Sequence, residues 1–336
     1  MKAKNIFKMG LGSLGYKVLN RRKPLNVMFS VTDRCTSNCL YCAIPEREKV
    51  ELTTSDIINI LDQLKHAGCE RLGIWGGEPL LRSDIGEIIR YSKRKGFFVT
   101  LDTNGQLLPE KLRDIKKIDH VNIGFDGPQE AHDKLRGKDN FKKAIRAFEC
   151  LRNNNIPFWT ITVLTKFNIM YIEEIINYAM RYGFKTTFQI LHHNEYLSRN
   201  HEHLYPSDDE LREAIKKIID FKKQKAPIAS SFNYLNYLLE WPDYKVPTLD
   251  YEKGGINCLA GKLFCNIDTD GSLFPCSLLV DKIYGPNILE NGFQPAFNSM
   301  TIAPCKACAA SCYVEYNHLF ALNPYTLFEW LMALKK

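Results

Sequence analysis

Six short runs rich in β-branched and aromatic residues recur along the chain: Asn26–Val31, Arg71–Trp75, Phe97–Thr103, His120–Phe125, Phe158–Thr165 and Lys185–Leu191. Between them lie polar segments whose apolar residues return at helical spacing, at 54–68, 83–96, 109–117, about 140–154 and 170–183, with another at about 209–225. Six strands alternating with helices predict an α/β fold with a parallel sheet, curled or open. Such sheets bind ligands beyond the carboxyl ends of their strands, so the loops after each run are where chemistry is to be sought. The pattern changes after residue 250. Residues 258–276 read as a strand, an Asp270-Gly271 hairpin turn and a returning strand, and 304–312 form a short cysteine-rich tract. This divides the chain into an N-terminal basic amphipathic extension (1–24), a sheet-and-helix region (25–225), a linker with a helix (226–253) and a small α+β module (254–336).

Composition narrows the class. The 336 residues carry a formal charge of +7, too mild to argue for nucleic acid and equally suited to an anionic substrate, cofactor or membrane surface. The chain shows no apolar export signal and no run long enough to span a bilayer, so a cytoplasmic enzyme is expected. Of eleven cysteines, three fall at 35–42 and six at 258–312, while Cys69 and Cys150 stand alone and read as small core residues. Clustered cysteines without an export signal read as metal ligands.

Cys35, Cys39 and Cys42 lie in the loop after the first strand. Structural zinc wants four closed ligands, and this loop holds three with no fourth Cys or His. A cubane iron–sulfur cluster bound by three thiolates keeps one iron open for an exogenous ligand. After the second strand comes Gly76-Gly77-Glu78-Pro79, where two glycines allow close backbone approach. Asn104 follows the third strand, and Asp126 and Arg136 follow the fourth.

Cys-x3-Cys-x2-Cys with an aromatic before the last cysteine, followed by Gly-Gly-Glu-Pro, resembles the radical S-adenosylmethionine (SAM) superfamily over residues 25–190. The resemblance implies a partial (β/α)6 TIM-like barrel. It implies that Cys35, Cys39 and Cys42 hold a [4Fe–4S] cluster whose open iron is chelated by SAM. Tyr41 would pack near the adenine, and the Gly76–Pro79 turn would meet the amino group. Arg136 suits the SAM carboxylate, with Asp126 beside it, and Asn104 is either a contact or a turn former. Relatives often carry Ser where this chain has Gly124, so a hydroxyl contact is missing or supplied elsewhere. The implied chemistry is reductive cleavage of SAM to a 5′-deoxyadenosyl radical that takes hydrogen from a substrate. The electron would come from a reductant such as flavodoxin or ferredoxin.

The second cysteine group opens with Cys258, twelve residues, Gly271, four residues and Cys276. This resembles the auxiliary-cluster modules called SPASM and twitch. One further iron–sulfur cluster is expected, held by Cys258, Cys276, Cys305 and Cys308, with Cys265 and Cys312 able to stand in for two of them; a zinc site is the alternative. For the catalytic side chain, Gln189, His192 and His193 after the sixth strand are the candidates. The substrate is left open among a peptide, a lipid-linked molecule and a sugar or alcohol. From another class, a non-catalytic iron–sulfur electron-transfer or maturation protein is kept in view. Phe7, Leu11, Leu14 and Val18 form an apolar helical stripe among basic residues, and Leu327, Trp330 and Leu331 form another near the C-terminus. Both are expected to cap the barrel, with peripheral membrane binding as the alternative.

Overall fold

The computed structural model describes residues 3–199, 202–255 and 257–334. The six expected strands are present as β1 (Asn26–Ser30), β2 (Arg71–Trp75), β3 (Phe98–Thr103), β4 (His120–Gly124), β5 (Phe158–Leu164) and β6 (Lys185–Ile190). All five neighbouring pairs are parallel, in the order β6-β5-β4-β3-β2-β1. The helices Thr54–Ala67, Ile85–Arg94, Asn140–Asn153 and Ile172–Tyr182 fall between consecutive strands. Thr53 and Asp56 form a reciprocal cap at the start of the first of these, and left-handed Gly68 ends it.

Strand alternation explains why the barrel has a hollow interior. Val27, Phe29, Leu72, Ile74, Val99, Leu101, Val121 and Ile123 belong to the apolar core with Ile57, Leu61, Ile88, Ala147 and Phe148 of the helices. The intervening residues, among them Met28, Arg71, Trp75, Thr100, Asp102 and Asn122, line a cavity instead. Period two places the polar residues of apparently apolar runs on the inward face.

The cysteine-rich module continues this sheet. Of the remaining strands, β7 (Thr248–Leu249) pairs with β10 (Ala307–Cys308), while β8 (Phe264–Ile267) and β9 (Leu273–Phe274) form the expected hairpin. β8 lies parallel beside β1, giving one eight-stranded sheet. Charge locks the junction. Arg47 pairs with Asp33, Asp268 and Asp281, and Lys49 with Asp268, Asp270 and Asp281. Thr269 Oγ1 donates to Asp33 at 2.9 Å. The hairpin is thereby tied to both ends of the first cysteine loop.

The N-terminal helix Ala3–Leu19 docks differently from expectation. Its anchors are Asn5, which donates to Glu70 at 2.8 Å, and Lys8, which pairs with the same carboxylate. A Cβ on Gly12 would come within 2.4 Å of Leu25, so this glycine permits close approach of the helix. The predicted stripe faces outward: Phe7, Leu11, Leu14 and Val18 are all exposed. The C-terminal helix Pro324–Leu334 divides its stripe, with Trp330 turned to Trp159 at 5.8 Å and Leu331 exposed. Cys69 is fully buried as expected, while Cys150 is only partly so.

Candidate active site

Two cavities occupy the barrel. The upper one, about 220 Å³, is lined by Cys35, Cys39, Cys42, Tyr41, Gly76, Gly77, Asn104 and Arg136. The loop after β1 and the turns after β2, β3 and β4 thus converge at the carboxyl ends of the strands, where the open-sheet rule places a ligand.

The glycine turn holds the cysteine loop by backbone contact. Gly77 N donates to Thr32 O at 2.7 Å and Glu78 N to Arg34 O at 2.8 Å. A Cβ at Gly76 would lie 2.2 Å from Thr32 O, and one at Gly77 2.3 Å from Arg34 O; Gly76 also has φ of 141°. The Glu78 carboxylate is directed away from the cavity. It is fully buried and accepts from Thr103 Oγ1, Asn104 N and Leu80 N, each at 2.8–3.0 Å. Burial raises its pKa to about 7, and those donors oppose the shift. Glu78 therefore anchors the turn to β3, and only the backbone of this motif is free to meet a ligand. Pro79 starts the short helical turn that follows and is buried.

Asn104 reaches back to the loop, donating to Thr36 Oγ1 at 3.0 Å and to Cys35 Sγ at 3.6 Å. Ser37 N also donates to Cys35 Sγ at 3.4 Å. Two residues not anticipated from sequence brace the same loop. Gln106 donates to Ser37 Oγ at 2.6 Å, and Arg199 donates to Cys39 O at 3.2 Å and Asn38 Oδ1 at 2.5 Å. They lie in polar segments with no pattern to single them out.

Asp126 organises the far wall. Tyr41 OH donates to its Oδ2 at 2.7 Å, Arg136 Nε to the same oxygen at 2.6 Å, and Val163 N to Oδ1 at 3.0 Å. The guanidinium lies over Gly124, where a Cβ would come within 2.2 Å of Nη1. The space beside Gly124 is thus filled by Arg136. Donor groups are supplied there by the arginine, and glycine is what makes the room.

The three thiols share one cavity wall with no other Cys or His among its lining residues. Burial pushes the Cys39 thiol to about 12 and raises Cys35 and Cys42 as well. Deprotonation of three neighbouring buried thiols needs a compensating cationic centre, as metal ligation provides. Three such thiols fit a cluster with one open corner. Among the described residues, no three His, Cys, Asp or Glu side chains close around a single metal ion.

In the C-terminal module, Cys258, Cys276, Cys305 and Cys308 act electrostatically on one another, and each is raised by burial. The sulfurs of Cys258, Cys276 and Cys308 also accept backbone N–H groups from Ala260, Leu278 and Ala310. The two expected substitutes, Cys265 and Cys312, are acted on by other groups. Cys265 pairs with Val27 in the β1–β8 register. It therefore faces the helix layer, where Cys69 and Arg22 are the groups that act on it. Cys312, on the first turn of helix Ser311–Phe320, opens into the second cavity.

That second cavity, about 270 Å³, is lined by Arg71, Trp75, Asp102, Asn122, Trp159, Cys312 and Tyr316 among others. It shares Trp75, Asp102, Asn122, Ile161 and Gln189 with the upper cavity. Of the three catalytic candidates, only Gln189 lines it. His192 is enclosed with neither ring nitrogen partnered, and burial lowers its pKa to about 4; His192 and His193 line neither cavity. In this cavity the residues missed by sequence reading are Arg71 and Asp102. Both sit inside apolar runs at the inward phase, which was the available signal.

The sequence profile of the Radical SAM superfamily matches residues 29–179, the segment that carries the cysteine loop, the glycine turn and the Asp126–Arg136 wall. Over this segment, somewhat under half of its length, the chain is similar to the radical SAM superfamily. It is 26% identical over 343 residues to the AdoMet-dependent heme synthase of Methanosarcina barkeri, covering 91% of this chain and 97% of that protein. It is 29% identical over 281 residues to the mycofactocin maturase MftC of Mycolicibacterium smegmatis, covering 81% and 69%. The fold is shared with Streptococcus suis SuiB bound to S-adenosylmethionine, at a TM-score of 0.68 and 17% identity over 85% of this chain and 69% of that one. No helix among the described residues is long and apolar enough to cross a membrane.

Proposed function

We propose that this protein is a radical SAM enzyme that removes hydrogen from a substrate seated in the lower cavity, and that Cys258, Cys276, Cys305 and Cys308 hold an auxiliary iron–sulfur cluster. The observation that carries the reading is the continuity of the two cavities through Trp75, Asp102, Asn122, Ile161 and Gln189. A group bound by Cys35, Cys39 and Cys42, with SAM beside it, would supply a low-potential electron and a carbon-centred radical at the top of the substrate chamber. The protein's own part is positional. The Asp126–Arg136 pair would orient the SAM carboxylate, Gly76 and Gly77 would present backbone to its amino group, and the aromatic walls exclude water.

Arg71 and Asp102 suggest the substrate's polarity. Arg71 donates to Asn26 Oδ1, Tyr316 OH and Thr100 Oγ1 at 2.7–3.1 Å, all neutral acceptors. The half-buried Asp102 carboxylate accepts from Asn122 at 2.7 Å. A peptide segment offers a carbonyl or carboxylate to the first and an N–H to the second. Similarity to the PqqA peptide cyclase of Gluconobacter oxydans, 26% identical over 309 residues, supports that class over a lipid or a sugar.

Anaerobic reconstitution with iron, sulfide, SAM and dithionite is expected to yield 5′-deoxyadenosine from the wild type and none from C35A. Equal yields would refute the radical reading. Iron and sulfide are expected to fall by one cluster's content in C276A, and unchanged content would refute the auxiliary site. A pool of short peptides should raise 5′-deoxyadenosine above the peptide-free level; no rise would turn the search to other substrates. Flavodoxin or ferredoxin is the proposed physiological reductant.

The exposed Phe7, Leu11, Leu14 and Val18 on a helix carrying Lys4, Lys8 and Lys17 also support peripheral binding to an anionic bilayer. Flotation with vesicles rich in phosphatidylserine should retain wild type and release an F7S/L11S/L14S variant; equal retention would refute this.

A further inference from the structure

Cys312 is the one cysteine of the C-terminal group that opens onto the reaction chamber. Its four neighbours in function, Cys258, Cys276, Cys305 and Cys308, act on each other, whereas the groups acting on Cys312 are Asp102, Arg71 and the surrounding backbone. It stands on the first turn of helix Ser311–Phe320, and Glu315 and Tyr316, one turn further, line the same chamber. Its side of the helix therefore faces inward, and the thiol is exposed to the chamber. The chamber is also built to receive a polar ligand. Asn266 lines it, is only 1% exposed, and has a side-chain oxygen with no hydrogen-bond partner; its amide nitrogen is committed to Tyr313 OH at 2.9 Å. His120 Nε2, on another wall, is likewise unpartnered. Buried polar atoms left open in this way are costly unless a ligand or water meets them.

We propose that Cys312 is a hydrogen donor to carbon radicals formed in this chamber, and not a ligand of the auxiliary cluster. The inference rests on the radical reading above and assigns a further residue to that site. In the step, the Cys312 S–H bond breaks homolytically and a C–H bond forms on the radical carbon. The carbon is reduced by one hydrogen atom and Cys312 becomes a thiyl. One electron from a low-potential carrier protein of the flavodoxin or ferredoxin class, with one proton, restores the thiol. A thiol suits the role because S–H is weaker than the C–H bond made, whereas a serine O–H is too strong. Desolvation inside the enclosed chamber, onto which the thiol opens, keeps the group protonated, with its pKa pushed up to about 12.

The test needs no identified substrate. Holoenzyme is incubated with SAM and dithionite in deuterium oxide, without added thiol, and 5′-deoxyadenosine is analysed by mass. The exchangeable Cys312 hydrogen predicts solvent deuterium in the wild-type product and about a tenfold lower labelled fraction in C312A and C312S. Equal labelling in all three overturns the proposal and leaves SAM cleavage standing; no 5′-deoxyadenosine from the wild type overturns the radical reading itself. Two measurements are independent of turnover. Iron and sulfide content in C312A should equal that of wild type, and a loss would make Cys312 a cluster ligand and sink the donor role. Brief iodoacetamide treatment of the folded chain should alkylate Cys312 ahead of Cys69 and Cys265; the reverse order would show that the thiol does not open onto the chamber.

Discussion

Gly124 shows how much one hydrogen atom in place of a side chain decides. Its bare Cα accommodates the Arg136 guanidinium, which lies within hydrogen-bond distance of Asp126. In G124S the new Cβ would displace Nη1 and Cζ, the far end of a flexible side chain, so the chain should fold while the arginine loses its position. SAM affinity is expected to drop about tenfold, or roughly 1.4 kcal/mol, with little change in melting temperature. Calorimetric titration of reconstituted enzyme with SAM checks this, and unchanged affinity would show that Arg136 does not serve the cofactor. The same position marks a limit of sequence reading. Gly124 was visible as a departure from its relatives, but the residue filling the space comes from twelve positions downstream and reaches it only through the turn and helix that follow β4.

At the scale of elements, the hairpin β8–β9 is joined to the barrel twice, by its register with β1 and by the charges of Asp268 against Arg47 and Lys49. Asp268 is nearly inaccessible, and both cations depend on it. Converting it to asparagine keeps the shape and removes the charge, leaving Arg47 and Lys49 to Asp33, Asp270 and Asp281. Breaking a buried pair costs about 3–5 kcal/mol, and the remaining acids place D268N near the lower end. Denaturant unfolding should report that loss; a change below about 1 kcal/mol would mean that the network is already solvated. The strands themselves were legible because apolar runs of five to seven residues flanked by polar segments admit few other readings. The union of β8 with β1 was not, since pairing between residues some 240 apart leaves no local trace.

For the whole molecule, pH sensitivity follows from what the fold buries. His132 accepts a hydrogen bond from Asp126 N at its Nδ1, and burial lowers its pKa to about 3. A depressed folded-state value means that its contribution is present above the unfolded value near 6.5 and is lost as pH falls toward 3. Between pH 8 and pH 5 that loss is about 2 kcal/mol. Burial acts in the opposite sense on Glu78 and Asp33, raised to about 7 and about 6, whose contributions fade as pH rises through those values. The wild-type curve is therefore flattened, and the informative quantity is a difference. Wild type should lose about 2 kcal/mol more than H132Q between pH 8 and pH 5, measured by urea unfolding at each pH. Parallel curves would show that His132 is protonated in the fold.

The sequence alone determined the alternation of strands and helices, the three-thiol loop and the glycine turn. These depend on local periodicity and on residues within a few positions of one another, which a linear pattern records. It also brought the four leading cysteines of the second group into view through their spacing. Only the tertiary structure set Cys265 against the helix layer and Cys312 on the second cavity, directed Glu78 into the scaffold, turned Phe7 and its stripe outward and left the barrel hollow. Each of those outcomes depends on which face of a strand or helix meets which distant neighbour. Side-chain direction is inherited from backbone phase, but the partner that makes the direction matter is chosen in three dimensions.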